Sequence, residues 1–184
     1  MSITRPQLAQ LKSALWSNGE AHYVFGVFDG ARDEMIADMI SASPFRSNCL
    51  LSGEISSNLR SVAPYVVALD RDAAITDVLL TLSWGNAWGI FVASTLAPEP
   101  LRSHLASCLH VQDEAGNKLF FRYYDPWVLS QYLPTCLPQE LTLFFGSALK
   151  ACYAEDEEAT SLAVFQYDEA RSKLIEDVIR LLPA

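Results

Sequence analysis

Three short runs are apolar at nearly every position: HYVFGVF at 22–28, PYVVAL at 64–69 and WGIFVAS at 88–94. A strand with one solvated face alternates apolar and polar residues. Continuous apolar runs of this length therefore predict central strands covered on both sides. Between them the spacing turns helical. Leu8, Leu11 and Leu15 share a face after Thr4, a capping residue, and Pro6, with Asn18-Gly19 as a stop. Asp33 is placed to start a short helix through Met35, Ile36, Met39 and Ile40, closed by Pro44. Asp72 is expected to cap a helix carrying Ile75, Val78, Leu79 and Leu82. Pro98 and Pro100 open another through Leu101, His104, Leu105 and Cys108. Residues 49–51 are a candidate short strand, and the polar stretch 52–63 reads as a loop. Val111 and residues 118–124 predict two strands around a hairpin turn at 114–117.

The densest aromatic run is LFFRYYDPWVL at 119–129. Read as an extended segment, Phe120, Arg122 and Tyr124 fall on one face and Phe121 and Tyr123 on the other. Asp125 then reads as a helix N-cap, with Pro126 in the first helical position, where its missing N–H costs nothing. Trp127, Val128, Leu129, Tyr132 and Leu133 follow at helical spacing. A charge on a buried strand face has to be paired. Arg122 therefore requires a carboxylate, and Asp29 and Asp125 are the candidates. Such a pair is either a structural cap and core ion pair or a recognition or catalytic site; caps are the commoner of the two.

Beyond Pro126, residues 129–145 are helical in pattern, punctuated by Pro134 and Pro138. The acidic run 155–158 reads as a solvated loop. Residues 162–167 alternate like a strand, with 148–153 as a partner. Asp168 is expected to cap a last amphipathic helix through Leu174, Val178, Leu181 and Leu182. The pattern as a whole predicts an α/β (α+β) fold. A mixed-sheet lobe flanked by helices is expected over 1–125, with a smaller, mainly helical lobe over 126–184.

Composition narrows the function classes. Of 184 residues, 51% are hydrophobic and 19% charged, enough for a sizeable core and inconsistent with global disorder. No apolar run approaches the roughly 20 residues of a membrane span. MSITRPQLAQLK at the start has no apolar signal core, so a cytoplasmic protein is expected. Cys49, Cys108, Cys136 and Cys152 form no CxxC pair and suit small buried positions in a reducing compartment. A net charge of -9 argues against nucleic acid and against an anionic membrane surface. It fits a protein whose partner is basic or hydrophobic.

Catalytic chemistry has little to build on. FGVFDG at 25–30 resembles the metal-binding strand end of metal-dependent protein phosphatases. Ala31-Arg32-Asp33 follows, however, where that family has His-Gly-Gly. The chain has one Asp-Gly and no Asp-Asn, and a hard metal pair needs several carboxylates. His22, His104 and His110 form no HExxH or HxH arrangement. His104 shares a helix face with Cys108, but a lone histidine on an apolar face is more often a hydrogen-bonded core residue. GxSxG, Walker and GxGxxG motifs are absent. No metal, cofactor or catalytic residue is expected. The enzyme alternative is a small metal-dependent hydrolase or phosphatase using Asp29, Asp33 and Asp125; a simple ligand-binding domain is a further one.

The ordered set of motifs resembles the type VI secretion effector adaptors, also called Tap or Tec chaperones. It comprises YVFGVFDGARD at 23–33, PYVVAL at 64–69, Trp88-Gly89 with IFVAS, LRSHL at 101–105, FFRYYDPWVL at 120–129 and FFG at 144–146. The sequence departs from the family pattern at Trp127, where a basic residue is common, at Ala106, where Arg is common, and at Ala63, where Gly is usual. The resemblance implies a non-enzymatic adaptor of the bacterial cytoplasm. Such a protein binds one toxic effector and helps load it onto the VgrG spike. Asp29, Arg122, Asp125 and Pro126 are then scaffold. Partner contacts are expected from exposed aromatic residues, with Trp127, Tyr132, Phe144 and Phe145 as candidates and the stretch 52–63 as a second location. A core position for Trp127 is the competing expectation.

Overall fold

The computed structural model describes residues 3–42, 47–113 and 115–182. In chain order the elements are α1 (Arg5–Leu15), β1 (Tyr23–Asp29), α2 (Glu34–Ala42), β2 (Ser47–Cys49), α3 (Ser57–Ser61), β3 (Pro64–Leu69) and α4 (Ala74–Ser83). There follow β4 (Gly89–Ser94), α5 (Pro98–Ser107), β5 (His110–Gln112), β6 (Lys118–Phe120) and α6 (Pro126–Tyr132). A single 3₁₀ turn (Leu133–Thr135), α7 (Pro138–Phe145), β7 (Leu149–Glu155), β8 (Ser161–Asp168) and β9 (Lys173–Arg180) complete the chain.

The apolar runs become the centre of a seven-stranded sheet in the order β2-β3-β1-β4-β7-β8-β9. Alternate side chains enter opposite cores. Val24, Phe28, Val67 and Phe91 face one, closed by α1, α2 and α4; Phe25, Val27, Val66, Ile90 and Val92 face the other, closed by α5, α6 and α7. Both faces are dry, which is why these strands carry no polar alternation. The class is α+β, as expected. Every pairing is antiparallel, where a mixed sheet was expected. The reason lies in β1, which runs between β3 and β4 and against both. The two strands joined by α4 are therefore parallel to each other but never touch.

Several local expectations are corrected. Residues 173–180 are strand β9, not an amphipathic helix, and β7, β8 and β9 extend the same sheet, so the division at residue 125 does not separate two lobes. The stretch 52–63 contains the short helix α3, whose N-terminus is capped by the Ser56 hydroxyl accepting from Leu59 N–H at 3.2 Å. Asp72 caps nothing; the Asp70 carboxylate accepts its N–H at 3.0 Å instead, and α4 starts at Ala74. Glu155 is buried at the end of β7 rather than solvated. Pro44 and Glu114, expected at a helix end and in a hairpin turn, lie outside the described residues. Other expectations hold. Thr4 stands at the N-cap of α1, where the Gln7 Oε1 accepts from its N–H at 2.8 Å and its hydroxyl at 2.9 Å. Asp33 accepts from Met35 N–H at 2.9 Å and opens α2. β7 and β8 pair as expected.

Candidate functional site

Two short turns of mirrored sequence meet at the C-terminal end of the interior strand β1. The first, Asp29-Gly30-Ala31-Arg32, ends β1; the second, Arg122-Tyr123-Tyr124-Asp125, precedes α6. Each is closed by its own hydrogen bond, Arg32 N–H to Asp29 O and Asp125 N–H to Arg122 O, both at 3.0 Å. The charges cross between them. Arg122 pairs with Asp29, and Arg32 pairs with Asp125. One of the two carboxylate candidates for Arg122 is thus selected, and the other is taken by a second arginine.

Both carboxylates are committed through their remaining oxygen as well. Asp29 Oδ1 accepts from Ala31 N–H at 3.0 Å, and Asp125 Oδ1 accepts from Trp127 N–H at 3.0 Å and Val128 N–H at 3.4 Å. The last two bonds are the N-cap that the Asp125-Pro126 dipeptide predicts. Gly30 is required between them: a Cβ there would sit 2.6 Å from Ala63 O, so only a bare backbone lets the turn press against the segment leading into β3.

Arg122 corrects the expected geometry of this region. Strand β6 ends at Phe120, and Arg122 stands in a turn with its side chain 46% exposed, not on a buried strand face. Its partner is the buried member, Asp29 being only 2% exposed. Burial opposes the charge on Arg122, but the charge and hydrogen bond of Asp29 outweigh it and hold the guanidinium protonated. Burial, with the Asp29 charge beside it, likewise pushes the Tyr124 hydroxyl up to about 12. Tyr123 is fully buried and donates to Leu105 O at 3.0 Å, tying the second turn to α5.

The paired turns present the outer face of α6. Trp127 is 42% exposed, which decides against a core position. Its ring lies 5.7 Å from the Arg32 guanidinium carbon, within cation–π reach. Trp127, Val128, Gln131 and Tyr132 line a shallow, largely apolar depression. Tyr132 packs on Phe121 with ring centroids 4.5 Å apart. An aromatic strip therefore runs from Arg32 across Trp127 and Tyr132 to Phe121.

Phe144 and Phe145, expected beside Trp127 and Tyr132, are buried and make no such surface. They anchor α7. Gly146 ends that helix at φ 54, where a side chain would be strained and would meet the His104 ring at 3.2 Å. His104 Nε2 donates to Phe144 O at 2.7 Å, so the half-buried ring is a positioned hydrogen-bond donor. Cys108 nearby has its thiol pushed up to about 11 by burial, which suppresses the thiolate. Arg32 escaped the sequence reading. Its signal was the inverted spacing, Asp-x-x-Arg in one motif and Arg-x-x-Asp in the other.

The three aspartates of the hydrolase alternative do not converge as free ligands. Asp29 and Asp125 hold arginines and backbone N–H groups, and Asp33 caps α2. Among the described residues, no group of three or more His, Cys, Asp or Glu is placed to hold a metal ion, and no helix is long and apolar enough to cross a membrane.

A family model described as "Domain of unknown function (DUF4123)" matches residues 24–143, more than half of the chain. The match begins in β1 and ends in α7, so it contains both turns and the whole of α6. Neither a curated protein nor a solved structure matches.

Proposed function

The chain belongs to the DUF4123 family, and on that premise we propose that it is an adaptor that binds a toxic effector and delivers it to the VgrG spike of a type VI secretion system. The observation that carries the proposal is the meeting of two motifs of the adaptor resemblance. FDGAR and FRYYDP, far apart in sequence, form one crossed ion-pair clasp, and the clasp holds out an aromatic helix face. A binding protein needs such a face held rigid. The buried Asp125 carboxylate caps the start of α6, Asp29 holds Arg122 three residues before it, and Trp127 is left solvent-accessible over Arg32. Exposed tryptophan on a positioned helix is a favoured anchor for a protein partner.

The chemistry of the clasp supports recognition over turnover. Its acids are already neutralised by arginines, so a hard cation would have to displace both. Cys108 and His104 are a masked thiol and a hydrogen-bonded ring, not an activated pair.

The test is co-purification. The tagged chain is co-expressed with the protein encoded beside it and, separately, with the spike. Stable complexes with both support the adaptor. A chain that captures neither, or that carries stoichiometric metal and hydrolyses a generic phosphatase or esterase substrate, contradicts it.

A further inference from the structure

On the face of the sheet opposite α6, the helical layer stops before the sheet does. α1 covers the far end of β9: Gln10 Nε2 donates to Arg180 O at 2.8 Å and Gln10 Oε1 accepts from Leu182 N–H at 2.9 Å, while Gln7 Nε2 donates to Leu182 O at 2.8 Å. Among the described residues, no helix covers the rest of β9. There a groove of about 660 Å³ runs between the loop after α1 and strands β8 and β9, and continues to the turn between α7 and β7, where Phe145, Gly146 and Ser147 also line it. Its floor includes Tyr153, Val164, Ile175 and Ile179, and Ile175 is 41% exposed.

Carboxylates outnumber cations around this floor. Glu20, Asp168, Glu169 and Asp177 line the groove, against a single lining cation, Lys150, which lies 3.7 Å from Glu20. Arg171 sits 3.3 Å from Asp168 but is 80% exposed and directed at that one carboxylate. Lys173, opposite Asp168 in the β8–β9 register and so on the same face, adds a further cation at that end. Glu169 and Asp177 keep the rest of the groove acidic over its apolar floor. On the opposite face α7 covers β8, with Tyr167 stacked on Phe145, while the outer strand β9 leaves Val178 57% exposed. Sheets bury such faces under helices.

We propose that this groove receives a basic amphipathic helix from a protein partner, laid beside α1 so that it completes the helical layer. Its apolar side covers Ile175 and Ile179, and its lysines or arginines meet Glu169 and Asp177. The site lies across the sheet from Trp127 and is carried by its own geometry, independent of what the aromatic strip binds.

Fluorescence anisotropy tests this with a labelled Leu/Lys amphipathic peptide of about 18 residues, roughly five helical turns. A Leu/Glu peptide of the same apolar pattern and a Ser/Lys peptide of the same charge serve as comparisons. The Leu/Lys peptide should bind best, and more weakly as salt rises. Asp177→Lys, and separately Ile175→Asp, should weaken it by about tenfold or more. Glu157→Lys/Glu158→Lys, at the other end of the β7–β8 hairpin, and Trp127→Ala should each change it by less than about twofold. Where Ile175→Asp fails to fold, Glu20→Lys/Glu169→Lys carries the same expectation. Equal binding of the Ser/Lys peptide, or equal loss in the Glu157→Lys/Glu158→Lys control, reduces the effect to net charge and overturns the proposal. A dimer seen by sedimentation that dissociates in Asp177→Lys puts a second copy of the chain in the groove and also overturns it.

Discussion

Arg122 rests its guanidinium on the carboxylate of Asp29, an exposed cation on a buried anion. The two members are unequal, and removing them should have unequal consequences. In Arg122→Ala the buried carboxylate loses its cation, at a cost of about 3–4 kcal/mol. In Asp29→Ala the half-exposed guanidinium turns to water, and the cost is about 1–2 kcal/mol. The double variant should cost less than the sum. Chemical denaturation of the three proteins measures this; equal single effects that add would mean the pair is not coupled.

Asp125 separates capping from pairing. Asp125→Asn keeps an oxygen for Trp127 N–H and Val128 N–H but gives up the charge opposite Arg32, whose side chain is partly exposed. It should cost less than about 1 kcal/mol. Asp125→Ala loses both and should cost about 1–2 kcal/mol more. Thermal melts decide, and equal losses in the two variants would assign the whole effect to the ion pair.

Much of this arrangement was legible in the sequence, in proportion to how strongly burial constrained it. β1, β3 and β4 are dry on both faces, so their apolar runs had no other reading. The Asp125-Pro126 cap was legible because it is chemistry local to the chain. Arg122 does pair with one of its two candidate carboxylates, but not because it lies on a buried strand face. Asp29 is the buried member, and choosing it over Asp125 required the fold, because the two turns are brought together only by packing. β9 was misread for a physical reason. It is an edge strand with most of its side chains in solvent, so nothing enforces alternation. Its apolar residues at 174, 175, 178 and 179 then fit a helix equally well. α3 is five residues with none buried, and a helix without an apolar face leaves no periodicity to find.

Glu155 gives the protein a pH dependence that the sequence concealed. Its carboxylate accepts from Gly85 N–H at 2.5 Å and Ala87 N–H at 2.6 Å, yet burial outweighs these bonds and raises it to about 6. A carboxyl with a folded value above its unfolded one contributes stability that is complete below the unfolded value and is lost as pH rises through the folded one. The wild-type protein should therefore lose about 2 kcal/mol relative to Glu155→Gln between roughly pH 4 and pH 7. Denaturation across that window checks the sign; a wild type that gains on the variant as pH rises would show the hydrogen bonds to be dominant.

The most direct measurement is the affinity of the captured effector for the wild-type chain and for Trp127→Ala, each paired with a thermal melt. Trp127 is solvent-accessible on a helix fixed by the clasp, so its truncation should leave the melting temperature within about 2 °C. Affinity should fall by about 2 kcal/mol, roughly thirtyfold. Unchanged affinity with unchanged melting would contradict the aromatic strip as the effector site.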